Sequence, residues 1–401
     1  MSYNFSSRHP ARPSNNNRRS YHATPARRGS GSHKQYINPS RFVQAARLSS
    51  ETVYEPTNTF DDFAVNPLLK TNLSAKGIKI PTPIQDQTIP QGLAGKDIVG
   101  IANTGTGKTI AFAIPLLEKL MQSKENRALI MAPTRELAQQ IEAECRTLAR
   151  GSGLNGAVLI GGSAMGPQLQ SLRAKPQIVI GTPGRIKDHM ERGTLDLSGF
   201  NIVVLDEVDR MLDMGFIHDM KIILAKLATP RQSFFFSATV DSSVRTLVDG
   251  FVTNAVTVSV KTGDTADNVD QNVVQFNSTN EKLDKLHNLL LSEGVSKALI
   301  FDETQRQVER LHKELVSRGF KAEAIHGGKS QGHRQRALSR FRASEVQFLV
   351  ATDVAARGID VVDITHVINY STPQSYEDYV HRIGRAGRAG RMGYALTFIE
   401  K

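Results

Sequence analysis

DIVGIANTGTGKT, residues 97–109, decides the fold, because a short apolar run leads directly into a glycine-rich loop. The loop ANTGTGKT, residues 102–109, nearly matches the phosphate-binding pattern G-x-x-x-x-G-K-[ST], with Ala102 in place of the first glycine. The helix-like IAFAIPLLEKL follows at once. The stretch therefore predicts a strand, a phosphate loop and a helix, in that order.

The residue types of this loop suit a bound nucleotide. Gly105 and Gly107 let the backbone wrap closely around phosphates, so that its N–H groups point inward. Lys108 is expected to reach the β- and γ-phosphates of ATP, and the Thr109 hydroxyl a Mg²⁺ ion. The start of the following helix adds positive potential. The predicted nucleotide-binding loop consists of Thr104, Gly105, Thr106, Gly107, Lys108 and Thr109.

The order of apolar strand, polar loop and helical stretch recurs along the chain. This alternation predicts βαβ units and mostly parallel sheets, whose ligands bind at the carboxyl ends of the strands. The predicted strands are residues 97–101, 128–131, 157–160, 178–180, 202–205, 234–236, 298–301, 348–350 and 367–369. The polar segment 261–270 predicts a linker. We therefore expect two α/β domains, residues 57–260 and 271–401.

The amino-terminal segment differs from the rest. The 401 residues carry a formal net charge of +11, and the first 50 hold nine Lys or Arg and no acidic residue. Residues 1–56 are rich in Arg, Ser, Asn, Pro and Gly, which predicts a disordered basic tail. Three interpretations stay open: an RNA-tethering arm whose aromatics, such as Phe42, stack on bases; a solubilising tail; and an organellar transit peptide.

Cys145 is the only cysteine, which fits a reducing compartment and excludes an intramolecular disulfide. It lies in a helical pattern and is predicted to be a packing residue. The chain is expected to be cytoplasmic, or organellar if the tail is a transit peptide. It has no apolar run of the roughly 20 residues that a membrane helix needs, so we expect no membrane partner. We also expect a monomer.

Two carboxylates follow the apolar strand NIVVL in DEVD, residues 206–209. Adjacent carboxylates at a strand end are costly without a cation. Asp206 suits Mg²⁺ binding, largely through water, and Glu207 suits positioning or deprotonating an attacking water. A solvated acidic loop is the alternative, but a phosphate loop in the same predicted domain favours the metal site.

Two further patterns concern a nucleotide. The amide of Gln85, in GIKIPTPIQ, has a donor and an acceptor that match an adenine edge, and Phe60 could stack on the ring; on chemistry alone, both are more simply loop and core residues. HRIGRAGR, residues 381–388, spaces Arg382, Arg385 and Arg388 three residues apart. As arginine fingers, they would stabilise the charge of a transferring phosphoryl group. The alternatives are a basic loop that binds the RNA backbone and a surface turn. These arginines reach ATP only if the two domains close.

From about residue 59 to 401, the sequence resembles a DEAD-box RNA helicase of superfamily 2. The motifs that carry the resemblance are Phe60 with GIKIPTPIQ, ANTGTGKT, APTREL (132–137), Gly161–Gly162, TPGR (182–185), DEVD, SAT (237–239), IFDET (300–304), Gln331 with Arg334, ATDVAARGID (351–360) and HRIGRAGR. The resemblance implies two tandem RecA-like domains and an RNA-stimulated ATPase that uses ATP and Mg²⁺.

The resemblance also implies roles for single residues. Phe60 and Gln85 would recognise adenine, Gly358 and Asp360 would touch the nucleotide from the second domain, and Arg385 and Arg388 would be arginine fingers. RNA-backbone contacts would come from Thr134, Arg135, Gly162, Thr182, Arg185, Gln331, Arg334 and Thr352. Coupling between ATP and domain closure would involve Asp209, Ser237, Thr239 and His381.

The family usually has Ala where this chain has Val208, and the two extra methyl groups would overpack the site unless its neighbours are smaller. The expected function is local RNA strand separation or remodelling of RNA–protein complexes, with protein partners a further possibility. The alternatives are an ATP-gated RNA clamp with little unwinding, a superfamily 2 DNA motor and a P-loop enzyme that is not a motor.

Overall fold

Two parallel sheets follow one another along the chain. The computed structural model describes residues 36–46, 54–103, 105–239, 242–252, 254–260, 268–356, 359, 361, 363–387 and 391–401. We call residues 54–260 the first lobe and residues 268–401 the second lobe. Helices flank both sheets, so the expected α/β class with two RecA-like domains is confirmed.

The first lobe holds seven strands in the order β3-β4-β2-β5-β6-β1-β7, and all neighbouring strands are parallel. The strands are β1 (Ile98–Ile101), β2 (Ala128–Met131), β3 (Gly156–Leu159), β4 (Ile178–Gly181), β5 (Ile202–Leu205), β6 (Gln232–Ser237) and β7 (Val256–Ser259). The helices are α1 (Pro67–Ala75), α2 (Pro83–Leu93), α3 (Lys108–Gln122), α4 (Arg135–Leu148), α5 (Met165–Arg173), α6 (Pro183–Glu191), α7 (Val208–Asp213), α8 (Ile217–Leu224) and α9 (Ser242–Asp249).

The second lobe holds six parallel strands in the order β10-β11-β9-β12-β13-β8. The strands are β8 (Val269–Phe276), β9 (Ala298–Phe301), β10 (Ala322–Ile325), β11 (Phe348–Ala351), β12 (His366–Asn369) and β13 (Gly393–Glu400). The helices are α10 (Thr279–Leu290), α11 (Gln305–Ser317), α12 (Gln331–Arg342), α13 (Asp353–Ala356) and α14 (Tyr376–Ile383).

The strand order divides the carboxyl edge of the first sheet into two halves. Strands β5, β6 and β1 are neighbours, so DEVD, SAT and the phosphate loop emerge side by side. Strands β3, β4 and β2 form the other half, from which Gly161–Gly162, TPGR and APTREL emerge. The sheet thereby separates the predicted nucleotide site from the predicted RNA site along one edge.

Apolar burial explains which strands were predictable. Every residue is buried in β2, β4, β5, β9, β11 and β12. Helices cover both faces of such strands, which therefore appear as continuous apolar runs. Cys145 lies inside α4 in the first-lobe core, where burial raises the pKa of its thiol to about 12. It is a packing residue, as predicted. No helix in the described part of the chain is long and apolar enough to span a membrane.

The structure differs from the sequence-based prediction at three places. The predicted linker 261–270 is too long, because β8 already begins at Val269; its polar residues suit the exposed face of an edge strand. Strands β7, β8, β10 and β13 were not predicted. The predicted disordered tail, residues 1–56, extends too far, because residues 36–46 pack on the second lobe and residues 54–56 lie on the first. Residues 1–35 lie outside the described part.

Val208, the departure from the family pattern, is wholly buried at the start of α7 in one core cluster with Leu205 and Met211. Replacement by Ala should therefore lower the free energy of unfolding by about 1–2 kcal/mol, at roughly 0.8 kcal/mol per buried methylene. Urea denaturation measures this change. The exposed Val316→Ala variant is the control, with an expected change within about 0.5 kcal/mol. A more stable Val208→Ala protein would instead mean that valine overpacks the site.

Candidate functional site

The phosphate loop connects β1 to α3. Lys108, the first residue of α3, is buried, and its Nζ donates to the carbonyl oxygen of Ala102 at 2.9 Å. Gly107 has φ 94°, and a Cβ there would lie 2.3 Å from Nε2 of Gln85. Only glycine satisfies both conditions. The described loop residues follow the predicted pattern, whereas Thr104 lies outside the described part.

GIKIPTPIQ lies directly against this loop. The Gln85 side chain accepts from the backbone N–H of Thr82 at 2.9 Å and donates to the Gly107 carbonyl at 3.1 Å. The Thr82 hydroxyl donates to the carbonyl of Thr106 at 2.8 Å. Gln85 therefore joins the start of α2 to the phosphate loop in this structure. Phe60 is buried and packs edge-on against Phe63, so adenine stacking by Phe60 stays a prediction.

The two adjacent carboxylates of DEVD, those of Asp206 and Glu207, directly follow β5 and are buried. Glu207 has φ 54°, a left-handed conformation that a residue with a side chain adopts at a cost and that is often found at active sites. Burial raises the pKa of Asp206 to about 7, although the positive charge of Lys108 opposes the increase. A buried acidic pair beside one ammonium group is the environment that a divalent cation stabilises.

DEVD and SAT are joined by hydrogen bonds. One carboxylate oxygen of Asp209 accepts from the backbone N–H groups of Ala238 and Thr239 at 2.9 and 3.0 Å, and from the Thr239 hydroxyl at 3.3 Å. The carbonyl of Ser237 accepts from the N–H of Ala102 at 3.0 Å. The structure thus links Asp209 and Thr239 to the loop that carries Lys108. Their role in coupling stays a prediction.

The predicted RNA-contacting residues of the first lobe cluster at the other half of the edge. Gly162 has φ 72°, and a Cβ there would lie 2.1 Å from Nη1 of Arg135. Glycine at this position therefore leaves the space in which the Arg135 guanidinium lies. Arg185 donates to the carbonyl of Ser163 at 3.3 Å. Thr134 caps the start of α4, where its hydroxyl accepts from the N–H of Leu137 at 3.3 Å.

A cavity of about 430 Å³ lies between the lobes at this place. Its first-lobe residues include Thr134, Arg135, Gly161, Thr182 and Arg185, and its second-lobe residues are Gly327, Arg334 and Val354. Thr352 is buried just before α13. The structure therefore brings most of the predicted RNA-binding residues to one interlobe cavity.

The side chains of Gln331 and Arg334 point toward the first lobe. Arg334 forms an ion pair of 2.7 Å with Glu136, and the side-chain amide of Gln331 donates to the side-chain oxygen Oε1 of Gln139 at 3.0 Å. All except Gln139 are buried. The sequence-based prediction did not include Glu136 and Gln139. Their spacing places them on one face of α4, but nothing in the sequence identifies their partners.

The arginines of HRIGRAGR have different environments. Arg382 makes a bidentate ion pair with Asp353, at 2.6 and 2.7 Å, and donates to Asn369 at 3.1 Å, so its guanidinium is fully engaged within the second lobe. Arg385 is buried and donates to the carbonyl of Ile359 at 3.1 Å. Arg388, Gly358 and Asp360 lie outside the described residues.

Helix α14 also faces the first lobe. Arg210, buried in α7 next to DEVD, lies 3.9 Å from Asp378 in α14 and 3.1 Å from Asp213. His381 lines a small cavity with Asp353, Arg382 and Arg385, and its Nδ1 is buried without a hydrogen-bond partner among the described residues. The element that precedes the predicted arginine fingers therefore touches the element that follows the acidic pair.

The structure has two RecA-like lobes, with a phosphate loop in the first and clustered arginines in the second. These features define a two-domain, nucleotide-dependent α/β protein. The chain belongs to the DEAD/DEAH box helicase family. That family's model matches residues 82–247, and the model of the helicase conserved C-terminal domain matches residues 281–390.

Individual relatives cover most of the chain. The DEAD-box ATP-dependent RNA helicase CshA of Bacillus licheniformis is 44% identical over 345 residues, which are 86% of this chain and 71% of that protein. S. cerevisiae Dbp5 bound to RNA and ADP BeF3 superimposes with a TM-score of 0.76 at 28% identity, covering 86% of this chain and 90% of that one. Mss116p bound to ssRNA and AMP-PNP superimposes with a TM-score of 0.78 at 28% identity. The match covers 87% of this chain and 76% of that one.

The raised pKa of Asp206 predicts a pH effect on the metal-free protein without nucleotide. The pKa of Asp206 is about 7 in the folded protein and lower in the unfolded chain. Its contribution to the free energy of unfolding is therefore fully present below pH ~4 and is lost as pH rises through 7. Relative to Asp206→Asn, the wild type should lose on the order of 1–4 kcal/mol between pH 4 and 8, at ~1.4 kcal/mol per pKa unit. Urea denaturation at several pH values measures this difference.

The exposed Asp61→Asn variant serves as the control, and its stability should follow the wild type across the same pH range. If the wild type and Asp206→Asn lost stability in parallel from pH 4 to 8, Asp206 would already be ionised in the folded protein at low pH.

Proposed function

We propose that this chain is an ATP-dependent RNA helicase that hydrolyses ATP at the first lobe when the second lobe closes on it. The observation that carries the proposal is the direct contact between lobes at two places, Glu136 with Arg334 and Arg210 with Asp378. The first contact lies at the cavity for RNA, and the second joins the residue after DEVD to α14, which contains the first three residues of HRIGRAGR. RNA and ATP would therefore favour the same closed arrangement.

The donor set of the acidic pair fits Mg²⁺. A buried carboxylate, once ionised, supplies oxygen ligands that suit a hard cation, and Mg²⁺ needs few protein ligands because phosphates and waters supply the rest. Thr109 and Asp206 would hold the ion, which would supply positive charge to the phosphates of the bound nucleotide.

The protein groups around the phosphates have separate tasks. Lys108 binds the phosphates from the start of α3, and Glu207 orients the attacking water and accepts its proton. Arg385, with Arg388, stabilises the charge on the transferring phosphoryl group from the opposite lobe. Gln85 and Phe60 select adenine, and Asp209 with Ser237, Thr239 and His381 transmits the state of the nucleotide to the lobe interface.

RNA is held in the cavity between the lobes, mainly through its backbone. Arg135, Arg185 and Thr182 from the first lobe and Thr352, Gln331 and Arg334 from the second provide guanidinium, amide and hydroxyl donors, which suit phosphate and 2′-OH oxygens. Such contacts carry little sequence information. Closure would bend one strand so that it no longer fits a duplex, and hydrolysis would release it.

Lys108→Ala should abolish RNA-stimulated ATP hydrolysis, because the buried ammonium is the one side-chain cation in the phosphate loop. Glu207→Gln should still bind ATP and RNA, but turnover should fall by about 10²–10⁴-fold, the usual contribution of a general base. Steady-state phosphate release and equilibrium RNA binding measure the two effects. An active Lys108→Ala enzyme would contradict the proposed site.

Arg385→Ala should reduce turnover by about 10³-fold or more, as expected for an arginine finger, while the KM for ATP changes little. The matched control is Arg391→Ala, an exposed arginine near the same motif. Wild-type turnover in the Arg385→Ala variant would remove the proposed need for lobe closure.

Two assays separate the alternatives. A strand-displacement assay alongside the ATPase assay distinguishes a helicase from an ATP-gated clamp, which would hydrolyse ATP without releasing a strand. Competition between RNA and DNA of one sequence for ATPase stimulation distinguishes an RNA enzyme from a DNA motor. We expect strand release and stimulation by RNA.

A further inference from the structure

An amino-terminal segment, residues 36–46, forms an ordered part of the second lobe, and we call it the clasp. Pro39–Phe42 is a short 3-10 helix. Asn38 caps it, and its side-chain oxygen accepts from the N–H of Ser40 at 3.0 Å. The composition of the tail predicted disorder here. The order comes from partners on the second lobe, 200 or more residues away in sequence.

Phe42 anchors the clasp. Its side chain is only 2% exposed, and its ring centroid lies 4.7 Å from that of Tyr379 in α14. Phe42 belongs to the same core cluster as Val269 and Ile383. A buried ring cannot stack on a base, so the interpretation of Phe42 as an RNA-stacking residue is wrong for this structure.

Two further contacts join the clasp to α14 and to β8. The Arg41 guanidinium lies 3.6 Å from the ring centroid of Tyr376, one turn before Tyr379 on the same face of α14. Gln44 and Gln271 exchange two backbone hydrogen bonds, of 3.0 and 2.8 Å, so the clasp adds an antiparallel bridge to the edge strand β8. The Tyr379 hydroxyl donates to the Gln271 side chain at 2.9 Å.

The helix beneath the clasp is the one that precedes the arginine fingers. Its Tyr376 and Tyr379 face the clasp, its Asp378 lies 3.9 Å from Arg210 of the first lobe, and it ends at Ile383, two residues before Arg385. The clasp therefore packs against α14 away from Arg210. A displacement of this helix would move the proposed arginine finger.

The residues that follow the clasp in sequence contact the first lobe beside the predicted nucleotide site. The Tyr54 hydroxyl, the Thr57 N–H and the Asn58 side chain all donate to the Asp86 carboxylate, at 2.6, 2.8 and 2.7 Å. Asp86 is next to Gln85 in α2. Gln44 and Tyr54 are separated by ten residues, a span of at most about 33–36 Å. The segment before the first sheet thus joins α14 of the second lobe to α2 of the first.

We propose that the clasp positions α14, and through it Arg385, for ATP hydrolysis, with Arg41 and Phe42 as positioning residues. This inference rests on the proposed role of Arg385. Arg41 and Phe42 are not among the residues that line the interlobe cavity, and Phe42 is buried in the core of the second lobe. The clasp should therefore affect the turnover number and leave ground-state binding largely intact. A misplacement of ~1 Å of a catalytic group is enough for about a 10²-fold loss of rate.

The test compares four full-length variants with the wild type: Arg41→Ala, Phe42→Ala, Phe42→Leu and Val43→Ala. Val43 is the matched control, because it is adjacent in the clasp and 53% exposed. Amide hydrogen exchange at Gln44 and Gln271 reports whether the clasp is docked. Steady-state kinetics report kcat with saturating RNA and the KM for ATP, and RNA binding with a non-hydrolysable ATP analogue reports the RNA site.

Wild-type amides of Gln44 and Gln271 should be protected, and Phe42→Ala should lose this protection. Its kcat should fall roughly tenfold or more, with KM for ATP and RNA affinity changed about twofold or less. Phe42→Leu should restore most of kcat, because it refills the apolar site. Arg41→Ala, which leaves the core intact, should lower kcat in the same direction even if Phe42→Ala unfolds the second lobe.

Three results would overturn the inference. One is rapid exchange of both amides in the wild type, which would mean that the clasp is not docked. The second is normal kcat in a folded Phe42→Ala protein that has lost protection. The third is unchanged kcat in Arg41→Ala when Phe42→Ala does not fold. If Arg385→Ala is inactive while the clasp variants are normal, only the clasp inference fails; if Arg385→Ala is fully active, the proposed arginine finger fails too.

Discussion

The structure depends on one constraint, that the carboxyl ends of β5, β6 and β1 must lie next to one another. Backbone hydrogen bonding enforces it, because the N–H of Ala102 after β1 donates to the carbonyl of Ser237 at the end of β6. Lys108 in turn donates to the Ala102 carbonyl. The Lys108 ammonium, the Asp209 carboxylate and the SAT loop are thereby connected in one network across the carboxyl ends of these three neighbouring strands.

The second lobe contributes in a different way. Its polar groups face the first lobe as ion pairs and amide contacts, and its central arginine, Arg382, is used within the lobe by Asp353 and Asn369. Breaking the buried Glu136–Arg334 pair by removing one partner is costly, because the other charge stays desolvated. Separation of the lobes exposes both groups to water, which offsets much of that cost. A contact of this kind is strong when closed and readily reversible, as a cyclic motion requires.

The sequence predicts the centre of each sheet better than its periphery. Strands such as β2, β5 and β9 are continuous apolar runs because both faces are covered, and the motifs at their ends indicate the site before any coordinates exist. Strands β7 and β8 lie at sheet edges and carry polar residues, so periodicity does not reveal them. The Glu136–Gln331 contact spans 195 residues, and the order of the clasp depends on Tyr379, a partner that no local pattern identifies.

The route of the chain ahead of the first sheet has a consequence for connectivity. The two lobes are joined covalently twice, once by the stretch between Val260 and Asn268 and once by the stretch between Gln44 and Tyr54. A single backbone break after Val260 would leave an amino-terminal fragment that still carries its own docking peptide for the other half. Binding of the clasp to the second lobe would tether the two fragments, and the remaining lobe contacts would then form as if within one molecule, so the fold suits fragment complementation.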